Sequence, residues 1–380
     1  MTVCAIETAA EDGAVASTGF TITAGGSYAA RLAGAGEALF PERWTLDGPE
    51  PYAVPLPLGQ PEERDAEVLP MADGRVLIRR RVERRHAFSL LYPTGPGTGE
   101  LPLGGVESAE LTLLPPAPDG VCAYALAPGA KSTAIWLVAG GAFGPEQVAE
   151  VPGRCSGGVW LDRTGRLLAL DRQVDDGPVK AVAVDLERGG EVTPLLQITE
   201  DSDDRLLLAD PDSGLLLIRS NAPGHDRLGW GVLGSLRPVR FPECLRLADC
   251  AVTPFAVQPG QVLMPESCGV ALRIDGAAGS WLGIWRPSGR RLHQLAAPDG
   301  WLAGAGLWSR EGVLQLPYAT GAVPCGVARI DASALAHEVI TEPAQAECAG
   351  GEPSGGAGTP VVRKPVPLQQ APLTGRTAAG

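Results

Sequence analysis

The chain has 380 residues, a formal charge of −13 and a hydrophobic share of 44%, with only 5% aromatic residues. Its 50 Gly and 35 Pro are 85 of 380 residues, far above an ordinary share of roughly 12%, which excludes helix bundles and coiled coils. The acidic balance opposes nucleic-acid binding, which rests on Lys and Arg displacing counterions, and no apolar run approaches the roughly 20 residues that cross a bilayer.

In chain order, the first residues carry Glu7, Glu11 and Asp12 with no basic start, unlike a secretory leader, so a cytoplasmic location is expected. The apolar alternation of Thr2 to Ile6, within residues 1–13, is a candidate closing strand. A turn glycine then recurs before an apolar strand: Gly74 in MADGRVLI, Gly120 in APDGVCAYAL, Gly165 in DRTGRLLAL, Gly214 in PDSGLLLI, Gly260 in QPGQVLM and Gly312 in REGVLQL. Glycine takes the positive φ of a tight hairpin without steric cost, so each doublet predicts a turn between two strands. The intervals between these glycines are 46, 45, 49, 46 and 52 residues.

Each of these strands is followed by another: ERWTLDG, FSLLYPTG, AIWLVAGG, VAVDLERGG, WGVLGS, LGIWRPSGR and GVARIDAS. A shorter one comes after it, as in YAVPLPL, GELPLGG, QVAEV, VTPLLQI, PVRFPE, LHQLAA and HEVIT. The first repeat draws its inner strands from TGFTITAGGSYAARL. Several short antiparallel strands in about 46 residues is the length of one propeller blade. A lone blade cannot bury both faces, so radial stacking is required.

The repeats resemble the seven-bladed β-propeller superfamily of WD40 and YVTN-like architecture. The phrases VAVDLERGGEV and LGIWRPSGRRLHQL look like the third and fourth strands of a blade. The resemblance implies an all-β, seven-bladed domain over residues 1–341. Its blades fall near 14–61, 62–105, 106–153, 154–199, 200–246, 247–300 and 301–341. Residues 342–380, Gly- and Pro-rich and without apolar periodicity, read as a disordered tail. The GH and WD dipeptides of WD40 repeats and the Asp box of sialidases are absent, so no catalytic residue is inherited from a subfamily.

The sharpest local anomaly runs from Arg75 to His86, with six arginines against the single Glu83, a segment of +5 in a chain whose remainder is −18. A hairpin between the second and third strands of a blade would bring Arg79, Arg80, Arg81, Arg84, Arg85 and His86 together as a binding site for carboxylates or phosphates. The competing reading is a solvated hairpin. The acidic counterpart, Glu200, Asp201, Asp203 and Asp204, lies at a junction between blades. Asp201, Asp203 and Asp204 are candidate calcium ligands there, against a solvated loop, and no metal is expected. The polar loop from Asn221 to Trp230 sets His225 and Asp226 side by side, and with His293 these are the candidate catalytic residues. Eight cysteines scattered singly predict free thiols, and eight tryptophans on strands predict packing between blades.

No phosphate loop, nucleophile elbow or cofactor motif is present, and no cofactor is expected. The reading is a cytoplasmic binding or scaffold protein with a protein partner, and with no nucleic acid or membrane. The alternative is a propeller lyase or hydrolase acting on a small-molecule ligand at the central channel.

Overall fold

A computed structural model describes residues 19–332. The candidate closing strand at Thr2 to Ile6, the HEVIT strand with His337, and the tail at 342–380 lie outside the described residues.

The described residues form seven successive antiparallel groups, spanning residues 21–55, 67–107, 112–152, 154–196, 204–240, 251–295 and 307–331. Groups 1, 2, 3, 4 and 6 have four strands each, while groups 5 and 7 have three. Groups 4 and 5 are joined by a single parallel bridge, Lys180 to Asp204, which makes them one continuous sheet. Three single-turn 3-10 helices complete the regular structure of the described residues.

Second strands are short apolar runs because both of their faces are buried between neighbouring groups. In Val76–Val82, Val76 and Ile78 pack toward group 1 and Leu77 toward group 3. In Leu215–Ser220, Leu216 and Ile218 face group 4 while Leu215 and Leu217 face group 6. Each of six hydrophobic clusters thus joins two adjacent groups, from 1 and 2 through 6 and 7. Trp308, Trp285 and Trp230 belong to these seams. At the remaining seam, Gly26 of group 1 lies against Leu307 of group 7. Its φ of +78° favours glycine there, and the Leu307 methyl occupies the place of a Cβ. Glu42 of group 1 also reaches Cys325 of group 7, and burial with that charge pushes the thiol up to about 11. Stacking of this kind, closed between last group and first, is a β-propeller.

The turn glycines sit where the sequence places them, with φ of +80°, +66°, +75°, +73°, +81° and +91° at Gly74, Gly120, Gly165, Gly214, Gly260 and Gly312. Two expected strands do not form. After Gly260 the QVLM segment leaves the sheet, Leu263 takes φ +60°, and the second strand begins only at Val270. Pro265 has no N–H for a ladder, and the VALRI run fits between two groups as QVLM does not. PVRFPE contributes one bridge, Arg240 to Trp230, because Pro238 and Pro242 flank the only pairing residue.

An antiparallel meander fixes which loops share a side. Turns between strands 2 and 3 and the links to the next group emerge on one face, and turns between strands 1 and 2 and between 3 and 4 emerge on the other. The Arg84 turn, the Glu200 junction and the His225 turn therefore share the first face.

Candidate functional site

Strand alternation divides the arginine run. Val76–Val82 and Arg85–Pro93 are the second and third strands of group 2, paired from Val76 opposite Leu91 to Val82 opposite Arg85, with Glu83 and Arg84 at the tip. Arg79 points with Leu77 toward group 3 and is only 5% exposed. Its Nε donates to Glu67 Oε2 at 2.9 Å and its Nη2 to the Asp65 carbonyl at 2.5 Å. Its Nη1 lies 3.1 Å from Nδ1 of His86, which is 1% exposed. A guanidinium only donates, so His86 Nδ1 accepts and the ring proton sits on Nε2, which donates to the Ser108 carbonyl at 3.2 Å. Burial, reinforced by the Arg79 charge, holds the imidazole below its usual pKa, so the ring is neutral.

Arg80 points the other way, toward group 1. Its Nε and Nη2 fork onto both oxygens of the buried Glu62 at 2.7 and 2.8 Å, and its Nη1 reaches Glu100 at 2.6 Å. The expectation that the whole run gathers at one surface is corrected here: Arg79, Arg80 and His86 are structural. Arg81, Arg84 and Arg85 are exposed, and none of them makes an ion pair among the described residues.

The acidic junction is organised around an ammonium group. Lys180 Nζ donates to Asp204 Oδ2 at 2.9 Å and to the carbonyls of Thr199 and Ser202 at 2.6 and 2.5 Å. Asp204 is 0% exposed and also accepts from Ser220 Oγ at 2.6 Å and the Ile198 amide at 2.9 Å. Burial works against its charge, but these hydrogen bonds with Lys180 outweigh it and keep the carboxyl below its usual range. Asp203 accepts from the Val179 amide at 2.7 Å, and Asp201 lies in the loop before it. Among the described residues no group of three or more His, Cys, Asp or Glu side chains is placed to hold a metal ion. Nearby, burial pushes Asp171 up to about 6, against the Leu206 amide at 3.0 Å and Arg205 at 3.6 Å, both from group 5.

The candidate catalytic residues do not converge. His225 is exposed at its turn and makes no hydrogen bond or ion pair among the described residues, while Asp226 is drawn to Arg219 at 3.4 Å. His293 opens the fourth strand of group 6, the strand farthest in pairing order from the first.

First strands of successive groups lie against one another, as at Thr21–Ile22 with Glu67–Pro70 and at Asp204–Ala209 with Ala251–Val257. They line the inside of the ring. A cavity of about 620 Å³ runs beside them in groups 1 to 3, walled by Thr21, Arg64, Glu67, Leu69, Arg79 and Leu113. Sequence reasoning missed Glu67, a lone carboxylate outside any motif. Its Oε2 accepts from both Arg79 and the Leu113 amide of group 3, at 2.9 Å each.

No protein-family model matches the chain, and no curated protein matches it. Solved structures do. Prolyl oligopeptidase B from Galerina marginata is 13% identical, with 83% of this chain and 48% of that one covered at a TM-score of 0.51. TolB from Acinetobacter baumannii is 13% identical over 73% and 62%, at 0.45, and a putative TolB from Agrobacterium tumefaciens is 14% identical over 73% and 89%, at 0.38. The chain spans about half the length of the oligopeptidase it matches. At this identity the likeness is one of fold, and the fold is the β-propeller.

Proposed function

We propose that this propeller is a binding or scaffold protein whose Arg81, Arg84 and Arg85 hairpin receives an acidic segment of a protein partner. The observation that carries the reading is that these three guanidinium groups are exposed without carboxylate partners among the described residues, in a chain of −13, while Arg79 and Arg80 beside them are fully engaged. Rigid neighbours hold the hairpin in place, because Arg80 ties it to Glu62 and Arg79 to Glu67. Guanidinium forks recognise carboxylates at two points, and a preorganised hairpin loses little freedom on binding. The six described cysteines are all free thiols, in keeping with the reducing interior of a cell.

The test is capture of partners from source lysate by the tagged full-length chain and by its R81A/R84A/R85A variant, read by native mass spectrometry. A stoichiometric protein retained by the wild type, released by salt and lost in the variant is expected. Equal capture by a variant with an unchanged circular dichroism spectrum would dismiss the hairpin.

The second reading, small-molecule chemistry inside the ring, draws on the 620 Å³ cavity and on Glu67, whose Oε1 makes no hydrogen bond among the described residues. Glu67→Gln is the substitution that tests it. Loss of a co-purifying small molecule from that variant would favour this reading over the scaffold.

A further inference from the structure

A second cationic recess lies on the same face, between groups 5 and 6. It is a cavity of about 150 Å³ into which Arg219, Arg227 and Arg246 all contribute, against the single carboxylate of Asp226. Leu228, Leu245 and Val252 supply apolar wall.

The three guanidinium groups differ in how far they are used. Arg227 is committed to Glu243 at 2.7 Å and to the carbonyls of Phe241 and Pro242. Arg219 donates through Nη2 to the Val252 carbonyl at 2.7 Å and holds Asp226 only loosely at 3.4 Å, while its Nε is buried with no hydrogen-bond partner among the described residues. Arg246 is exposed and its side chain makes no hydrogen bond or ion pair among the described residues. The Nη1 of Arg219, held only by that long contact to Asp226, and the guanidinium of Arg246 are the donors left for an acceptor from outside the chain.

We infer that this recess binds a small aliphatic carboxylate, its oxygens on Arg219 and Arg246 and its hydrocarbon end against Leu228, Leu245 and Val252. The planar fork of guanidinium matches a carboxylate. Asp226 at the rim disfavours a doubly charged phosphate more than a single negative charge. A cavity of this volume holds about six non-hydrogen atoms, as a comparable cavity holds benzene. The site is separate from the group 2 hairpin and does not depend on a protein partner binding there.

The test is calorimetric titration of the full-length chain with butyrate, with butyramide as its uncharged counterpart and inorganic phosphate as a second anion. Saturable butyrate binding without butyramide binding is expected, about tenfold weaker in Arg246→Ala. Asp226→Asn should tighten binding several-fold, since it removes the internal carboxylate competing for Arg219, and a misfolded variant cannot produce that gain. The inference fails if butyrate gives no saturable heat, if both variants bind as the wild type does, or if phosphate binds more tightly than butyrate with the same dependence on Arg246.

Discussion

The basic hairpin of group 2 and the acidic junction between groups 4 and 5 are both runs of like charge, and both emerge on the same face. Their fates differ because of where each run sits on its strands. The arginines begin inside a strand, so alternation sends Arg79 toward group 3 and Arg80 toward group 1, and only at the outer end of the hairpin, from Arg81 to Arg85, do they reach solvent. The acidic run ends at the start of a first strand, so its last member, Asp204, is carried inside and paired with Lys180 of the neighbouring group. Charge therefore becomes seam where its strand is packed between neighbouring groups, and is free for partners where the strands run out at the edge of the fold.

Breaking the acidic seam should have the largest effect. Lys180→Met leaves Asp204 buried without its cation, at a cost of about 3–5 kcal/mol in chemical denaturation. The double variant K180M/D204N should recover a good part of that loss, and full additivity would show that the pair is not coupled. On the basic side, Arg79→Met should cost about 1–3 kcal/mol, less because Glu67 is partly open to solvent.

The same two regions respond oppositely to acid. His86 has a folded pKa below its unfolded value of 6.5. Its contribution is full above that pH and is lost as the pH falls below 6.5 toward the depressed value. Asp171 has a folded pKa raised to about 6 from 3.8, so the fold binds its proton first, and stability gains as the pH falls from above 6 toward 3.8. Asp171→Asn should accordingly raise stability by about 1–2 kcal/mol at pH 8, and the gain should vanish near pH 4. A gain that is equal at both pH values would show that Asp171 is not held in its neutral form by the fold. The smallest effect on stability is expected from R81A/R84A/R85A, within about 0.5 kcal/mol, although partner capture is lost.

Much of the architecture was legible locally. A turn doublet such as Asp73-Gly74 followed by VLI states its own hairpin, since positive φ and a short apolar strand are properties of adjacent residues. The placement of Arg79 to Arg85 at a hairpin between second and third strands followed from that spacing. QVLM misled because Val262, Leu263 and Met264 have strand composition, yet they end exposed at 62%, 90% and 56%, displaced by the later VALRI run. The candidate sites were less legible. Nothing near Glu67 in sequence marks it, since its partners are 12 residues away at Arg79 and 46 away at Leu113. Likewise His225 and Asp226 are neighbours in the chain, but it is Arg219 and the group 6 wall that give Asp226 its setting.

The amino-acid sequence by itself determined the repeat, the turns and the all-β class, because periodicity and turn chemistry act over a few residues. Only the tertiary structure decided which charges are spent and which are free. Two side chains one residue apart on a strand face opposite neighbours, and what each neighbour offers comes from a distant part of the chain.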